Sequence, residues 1–238
     1  MTDFQERTKL LLGDEGIAKI ASKKVFLAGL GGVGAYIAES LVRAGVKNIT
    51  IHDADSVSLS NINRQLIALH STLGEKKTTV MEKRLLDINP NCRIAVQDSF
   101  ITKATVPEVL SEEYDIIVDA IDVFNCKLAF LRFAYNKKAK LYSSMGAGNR
   151  LDPTKIKTGD LFDSRHCRLA KILRKKLRHS GITEGIKSVW SEEIAHAPDI
   201  MEEGKRRAVN GSISTIPAIF GLTLSGLILN DIVSDTYL

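Results

Sequence analysis

Short apolar, β-branched runs alternate with helix-periodic stretches through the first 145 residues. The runs at 24–29, 48–53, 93–97, 114–120 and 140–144 predict strands. The intervals read as helices. One follows the segment GLGGVG and ends near residue 44. A second covers 75–88, with Leu85 and Ile88 on one face, and Asn89-Pro90 ends it. A third covers 123–136, with Leu128, Leu131 and Tyr135 at helical spacing. Strands and helices in strict alternation predict an α/β fold, a mostly parallel sheet with helices on both faces. After residue 150 the rhythm breaks. Stretches 155–157 and 188–190 predict added strands, and between them Leu169, Ile172, Leu173 and Leu177 mark one face of an amphipathic helix. Residues 195–211 have little periodicity and many breakers, and read as a mobile loop over a site. The longest apolar stretch, 216–229, contains Pro217, Gly221 and Gly226. It falls short of the roughly 20 residues of a membrane span and predicts a buried core helix, so no membrane partner is expected. The expected organisation is a single domain: an N-terminal arm and helix at 1–21, a nucleotide-binding core at 22–150, and a substrate-side extension at 151–238.

Length agrees with this, since 238 residues suffice for one substantial core and are few for two. The formal charge of +5 permits a polyanionic partner and raises that expectation only modestly. Cys92, Cys126 and Cys167 stand far apart without a CxxC pair, so neither a structural zinc site nor a disulfide framework is expected. That usage fits a cytoplasmic location, and the charged N-terminal stretch MTDFQERTKLLLG is unlike a secretory signal.

The chemistry starts at Gly29, Gly31, Gly32 and Gly34. A glycine turn between strand and helix lets backbone N–H groups and the positive helix end meet a phosphate, as in Rossmann-like folds. Asp53 follows Gly34 by 19 residues and ends the second strand, where such folds place the acid that takes ribose hydroxyls. Asn61 and Arg64 come next, and Lys77 begins the following helix. A dinucleotide needs no such added cations, so a triphosphate is indicated, and ATP fits. Asp122, just beyond the fourth strand in DAID, has the chemistry to hold Mg²⁺ between phosphates. Asp119 reads as structural. Arg64, Lys77 and magnesium would together stabilise a departing pyrophosphate, which suggests adenylation of a carboxylate.

GLGGVG, DADSVSLSNINRQ, GEKK and DAID, in this order, resemble the adenylating superfamily of ubiquitin activators and bacterial sulfur-carrier activators (ThiF/MoeB/HesA). Within it, FQERTKLLLGDEGI, SSMGAGNRLDPTKIKTGDL, RLAKILRKKLRHSGI, SVWSEE and GSISTIP resemble the tRNA threonylcarbamoyladenosine dehydratases. The resemblance implies a homodimer in which Asp53 binds ribose, Asn61, Arg64 and Lys77 act on the phosphates, Asp122 binds magnesium, and Arg7 reaches the ATP of the opposite protomer. On its residues alone Arg7 is a solvated surface arginine. The implied reaction activates the threonyl carboxylate of the modified adenosine as an acyl adenylate, after which the neighbouring urea group closes a ring and water is lost overall. The nucleophile belongs to the substrate, so no enzyme thiol is needed. Lys127 matches a lysine of dehydratase-like sequences without a role assigned to it.

The segment 165–179 carries seven Lys and Arg residues. It is either a solvated helix face or a contact for the RNA backbone through Arg168, Lys171, Arg174, Lys175 and Arg178, with Lys205, Arg206 and Arg207 contributing. His52 is expected to face away from the site, Trp190 to pack on the sheet unless an exposed face stacks a base, and Ser143, Ser144, Gly146 and Gly148 to shape an acyl pocket, although loop geometry alone would also account for the glycines. The remaining histidines are dispersed, and Cys167 reads as an ordinary thiol. The rival function is adenylation of the C-terminus of a small ubiquitin-like sulfur carrier, which would make a sulfur-transfer or carrier protein a partner. A non-catalytic nucleotide-binding scaffold is the third.

Overall fold

The computed structural model describes residues 4–195 and 210–237. Seven strands form one sheet: β1 (Lys24–Ala28), β2 (Asn48–His52), β3 (Arg93–Gln97), β4 (Ile116–Asp119), β5 (Lys140–Ser144), β6 (Ile156–Asp160) and β7 (Ile186–Ser191). Their spatial order is β3-β2-β1-β4-β5-β7-β6, parallel throughout except that β6 runs antiparallel to β7. The helices are α1 (Glu6–Ser22), α2 (Gly34–Ala44), α3 (Lys77–Ile88), the short α4 (Val106–Val109), α5 (Phe124–Ala134), α6 (Arg168–Arg178) and α7 (Thr215–Tyr237).

Both faces of the sheet are covered, and β1 shows how. Val25 and Leu27 join the apolar layer formed with α2, α3 and α7, while Phe26 and Ala28 join the opposite layer with α5 and α6. Side chains alternate faces along a strand, so burial on both sides demands an unbroken apolar run. The chain winds outward from β1 to β3 and then restarts on the other side of β1 with β4. That reversal opens a crevice at the carboxyl ends of β1 and β4, the place where such sheets bind ligands.

The strand expectations hold to within two residues in the core. In the extension the sheet is larger than the pattern showed: β6 runs to Asp160, and β7 starts at Ile186. The last apolar segment needs a larger correction. Its helix, α7, has 23 residues, and over Thr215–Ser234 it is long and apolar enough to cross a membrane. Pro217 lies in the first turn, where a missing N–H costs nothing. Ile216, Phe220, Leu224, Ile228 and Ile232 form a stripe at every fourth position with at most 6% exposure, so this face is core. Gly221 permits the close crossing with α2, because a Cβ there would lie 2.5 Å from the Val33 carbonyl oxygen. Ser225 donates to Ser40 across the same contact at 2.9 Å. Of the loop expected at 195–211, residues 196–209, with Lys205, Arg206 and Arg207, lie outside the described residues.

Candidate active site

A cleft of about 350 Å³ opens at the crevice, within the size range of small-ligand sites. Its walls come from the glycine turn, the loops after β2, β3, β4 and β5, and Pro217 of α7. The first residue of α2 and of α3, the loop into α5, and Leu169 of α6 stand at or beside it. Each helix directs its amino end toward the cleft and contributes about half a positive charge there, a field suited to a polyanion.

The glycine turn permits no side chain at two positions. A Cβ on Gly34 would lie 1.7 Å from the Gly29 carbonyl oxygen. One on Gly29, whose φ is +95°, would lie 2.7 Å from the Ala120 oxygen. The turn is therefore pressed against the strand end of β4. Asp53 fixes it from the other side, for its Oδ2 accepts the Leu30 N–H at 2.7 Å and its Oδ1 accepts the Asp55 N–H at 2.9 Å. Lys77 is buried, with its Nζ 2.8 Å from Asp55 and 3.8 Å from Asp53. Asp55 lines the cleft and was missed by sequence reading; its place in the DAD triplet was the only signal.

Arg64 lines the cleft over Gly32, and its Nη1 donates to the Ser60 carbonyl and to Asn63 Oδ1 at 2.8 and 2.9 Å. Asn63 in turn donates to the Ser212 carbonyl at 3.0 Å, which ties the returning chain to this loop. Asn61 is not among the residues that line the cleft. It is buried, and its Oδ1 caps the Ser58 N–H at 3.2 Å, so it shapes the turn that carries Arg64.

Across the cleft, Asp122 is exposed at its wall. The loop presenting it rests on a wholly buried ion pair. Lys127 Nζ lies 2.6 Å from Asp119 Oδ2 and donates to the Ile121 carbonyl at 2.9 Å. Ser143 and the Ile121 N–H also donate to Asp119, at 2.6 and 3.1 Å. Burial pushes the Asp119 carboxyl above the ordinary range against the pull of these donors. Asp119 is structural, as expected, and Lys127 acquires a place: it holds the strand end and the loop together.

His52 is buried, and its ring is tilted toward that of Phe26 at 6.2 Å, on the face away from α2; it also lines the cleft, which corrects the expectation that it faces away from the site. Ser144, Gly146 and Gly148 line the far end of the cleft, and Ser143 lies behind them on Asp119. Trp190 is buried against Gly159 and packs on the sheet. Cys126 lines the cleft, while Cys92 and Cys167 are buried.

Two expected groups lie apart from the cleft. Arg7 is exposed on α1, beside Gln5, whose Nε2 donates to Ala44 at the far end of α2 at 3.2 Å. The 11 residues of α2 separate that point from the glycine turn by about 16 Å. On α6, Arg168, Lys171, Lys175, Lys176 and Arg178 are exposed. Arg174 corrects the expectation of RNA contact: it is half-buried and donates to the Ser164 carbonyl at 2.6 Å and to the Ser164 hydroxyl, so it anchors α6 to the preceding turn.

The family model of ThiF matches residues 5–235. The tRNA threonylcarbamoyladenosine dehydratase of Bacillus subtilis is 33% identical over 242 residues, covering 96% of this chain and 94% of its own. The chain belongs to the ThiF family and, within it, to the tRNA threonylcarbamoyladenosine dehydratases. The E. coli dehydratase, in a crystal structure with ATP, superimposes with a TM-score of 0.88 at 32% identity, over 97% of this chain and 93% of that one. The sulfur carrier protein adenylyltransferase of Thermus thermophilus is 34% identical over 113 residues, or 48% of this chain. The dehydratase likeness thus runs along nearly the whole chain, β6, α6 and β7 included, whereas the carrier-adenylyltransferase likeness covers about half of it.

Proposed function

We infer that this protein is an ATP-dependent dehydratase that cyclises threonylcarbamoyladenosine beside the anticodon of tRNA, acting as a cytoplasmic homodimer. The observation that carries the reading is the cleft itself: a glycine turn, a ribose acid, two cations and an opposing carboxylate around one crevice, in a chain that matches dehydratases along nearly its whole length. Asp53 takes the ribose hydroxyls. Arg64 and Lys77 face the phosphates and stabilise charge on the departing pyrophosphate. Asp122, exposed and opposite these cations, has the chemistry to hold a magnesium ion, which would neutralise further phosphate charge. Ser144 and the glycines after it leave room at the other end for the threonyl carboxylate. Once that carboxylate is an acyl adenylate, the urea group of the same nucleoside attacks its acyl carbon, AMP leaves and the ring closes, and proximity supplies the rate.

Leu169 at the cleft wall puts the start of α6 beside the acyl end. The exposed Arg168, Lys171, Lys175 and Arg178 continue along the helix for about 15 Å and suit a run of RNA phosphates. Arg7 serves the partner's cleft, which accounts for its distance from its own. Leu10 beside it is 80% exposed and Phe4 is 52% exposed, apolar surface that a second protomer would cover.

The test is to incubate the protein with ATP, magnesium and tRNA carrying threonylcarbamoyladenosine, digest the RNA gently and weigh the nucleoside. ATP-dependent loss of one water is expected. An unchanged mass, with pyrophosphate exchange appearing only after a carrier protein is added, would transfer the chain to the carrier-activating branch.

A further inference from the structure

We propose that Asp55 is a positioning residue that holds the Lys77 ammonium away from Asp53, leaving the lysine to the phosphates and the aspartate to the ribose. The proposal rests on the ATP-site reading above. The Lys77 side chain is 6% exposed, so its ammonium must satisfy its charge locally. Two carboxylates compete for it: Asp55 at 2.8 Å and Asp53 Oδ1 at 3.8 Å. The main chain fixes which is nearer. The Lys77 N–H donates to the Asp55 carbonyl at 3.1 Å, Ser56 bridges to Lys76, and the Asp55 N–H donates to Asp53.

Asp53 has limited acceptor capacity. One N–H already occupies each of its oxygens, from Leu30 on Oδ2 and from Asp55 on Oδ1. A carboxylate oxygen offers about two acceptor sites, so one on each remains for the ribose hydroxyls. Without Asp55 the nearest counter-charge for Lys77 is Asp53, about 1 Å farther off, and attraction steepens as the distance closes. A direct Lys77–Asp53 pair would fill an acceptor site meant for ribose and withdraw the cation from the phosphates. Asp55 prevents that collapse and, with its side chain 63% exposed, keeps the ammonium on the cleft side.

Such a role predicts coupling between Asp55 and the ribose hydroxyls, which a merely structural residue would not show. Binding of ATP, 2′-deoxyATP and 3′-deoxyATP is measured by calorimetry for wild type, Asp55→Asn and Asp55→Ala, with thermal melts as the folding control. Wild type is expected to lose about tenfold in affinity when a hydroxyl in contact with Asp53 is removed. Asp55→Ala is expected to bind ATP about tenfold more weakly, yet to lose most of its preference for the hydroxyl. Asp55→Asn, whose amide oxygen still accepts from Lys77, should fall between the two, and it decides the matter if the alanine variant does not fold. Undiminished hydroxyl preference in the folded variants overturns the proposal. No preference in wild type removes Asp53 from the ribose and overturns the underlying site assignment, and the proposal with it.

Discussion

A methyl group on Gly34 would collide with a carbonyl oxygen of its own turn at 1.7 Å, and no rotamer relieves a clash made by Cβ. Gly34→Ala must therefore open the turn. We expect a stability loss of about 2–4 kcal/mol in urea unfolding, together with loss of ATP binding by calorimetry. Arg64→Ala and Asp122→Ala should act differently, because both side chains face the cleft rather than the core. Pyrophosphate exchange is expected to fall by at least about 100-fold with the melting temperature little changed. Normal exchange in either variant would remove that residue from the phosphates. Lys127→Met is the opposite case. It leaves Asp119 buried without its counter-charge and should cost about 3–5 kcal/mol, with partial recovery in the double variant Asp119→Asn/Lys127→Met. Asp53, Arg64 and Asp122 were legible in the sequence because each sits at a fixed offset from a strand end. Lys127 and Asp55 were not, because their roles are set by distances to other segments. Asn61 was legible as part of a motif, yet the structure places its side-chain oxygen on the turn.

The same division runs through the elements. β1 and β4 were legible because burial on both faces leaves a continuous apolar run, whereas β3, an edge strand that is largely exposed, was legible only through its β-branched residues and its place in the alternation. β6 was only partly so: it is an edge strand with Lys157 and Thr158 exposed, and half of its pattern is polar. α7 was read short because Pro217 and its glycines look like breakers, whereas Pro217 sits in the first turn and Gly221 permits the close packing against α2. Near its far end Asp231 latches α7 to the sheet, accepting from Tyr142 of β5 and Lys187 of β7, each at 2.6 Å. Burial pushes the Asp231 carboxyl up, but these two bonds and the nearby lysines outweigh it and hold the group below its ordinary 3.8. The unfolded chain therefore takes up this proton first as pH falls, and stability falls with it from about pH 4 downward. Asp231→Asn should flatten that acid limb in urea titrations between pH 3 and 6, at a cost of about 1 kcal/mol at pH 7. On α6, the double variant Lys171→Glu/Lys175→Glu should weaken tRNA binding and reduce its salt slope by about 2, leaving ATP affinity unchanged. Arg174→Ala should lower the melting temperature instead, since that guanidinium holds Ser164. A tRNA affinity indifferent to the charge reversal would return α6 to the role of a solvated face.

Assembly determines how many chains make one site. Arg7 is separated from its own glycine turn by the length of α2, and exposed apolar surface lies beside it. If Arg7 completes the cleft of a partner, Arg7→Ala and Arg64→Ala damage a site from different chains. In a mixed dimer of the two variants, one cleft combines the intact Arg64 of the first chain with the intact Arg7 of the second, and the other cleft carries both defects. Equal mixing with full exchange makes half the dimers mixed, each with one working site of two, so activity should return to about a quarter of wild type. A site built within one chain gives no recovery, because every chain then carries a defect in its own cleft. Dehydration of the modified tRNA, measured before and after subunit exchange that mass photometry or labelled-chain mixing has verified, separates the two arrangements. Partial recovery would also set the stoichiometry of the functional unit, since only pairing of chains can rebuild a cleft from two defective copies.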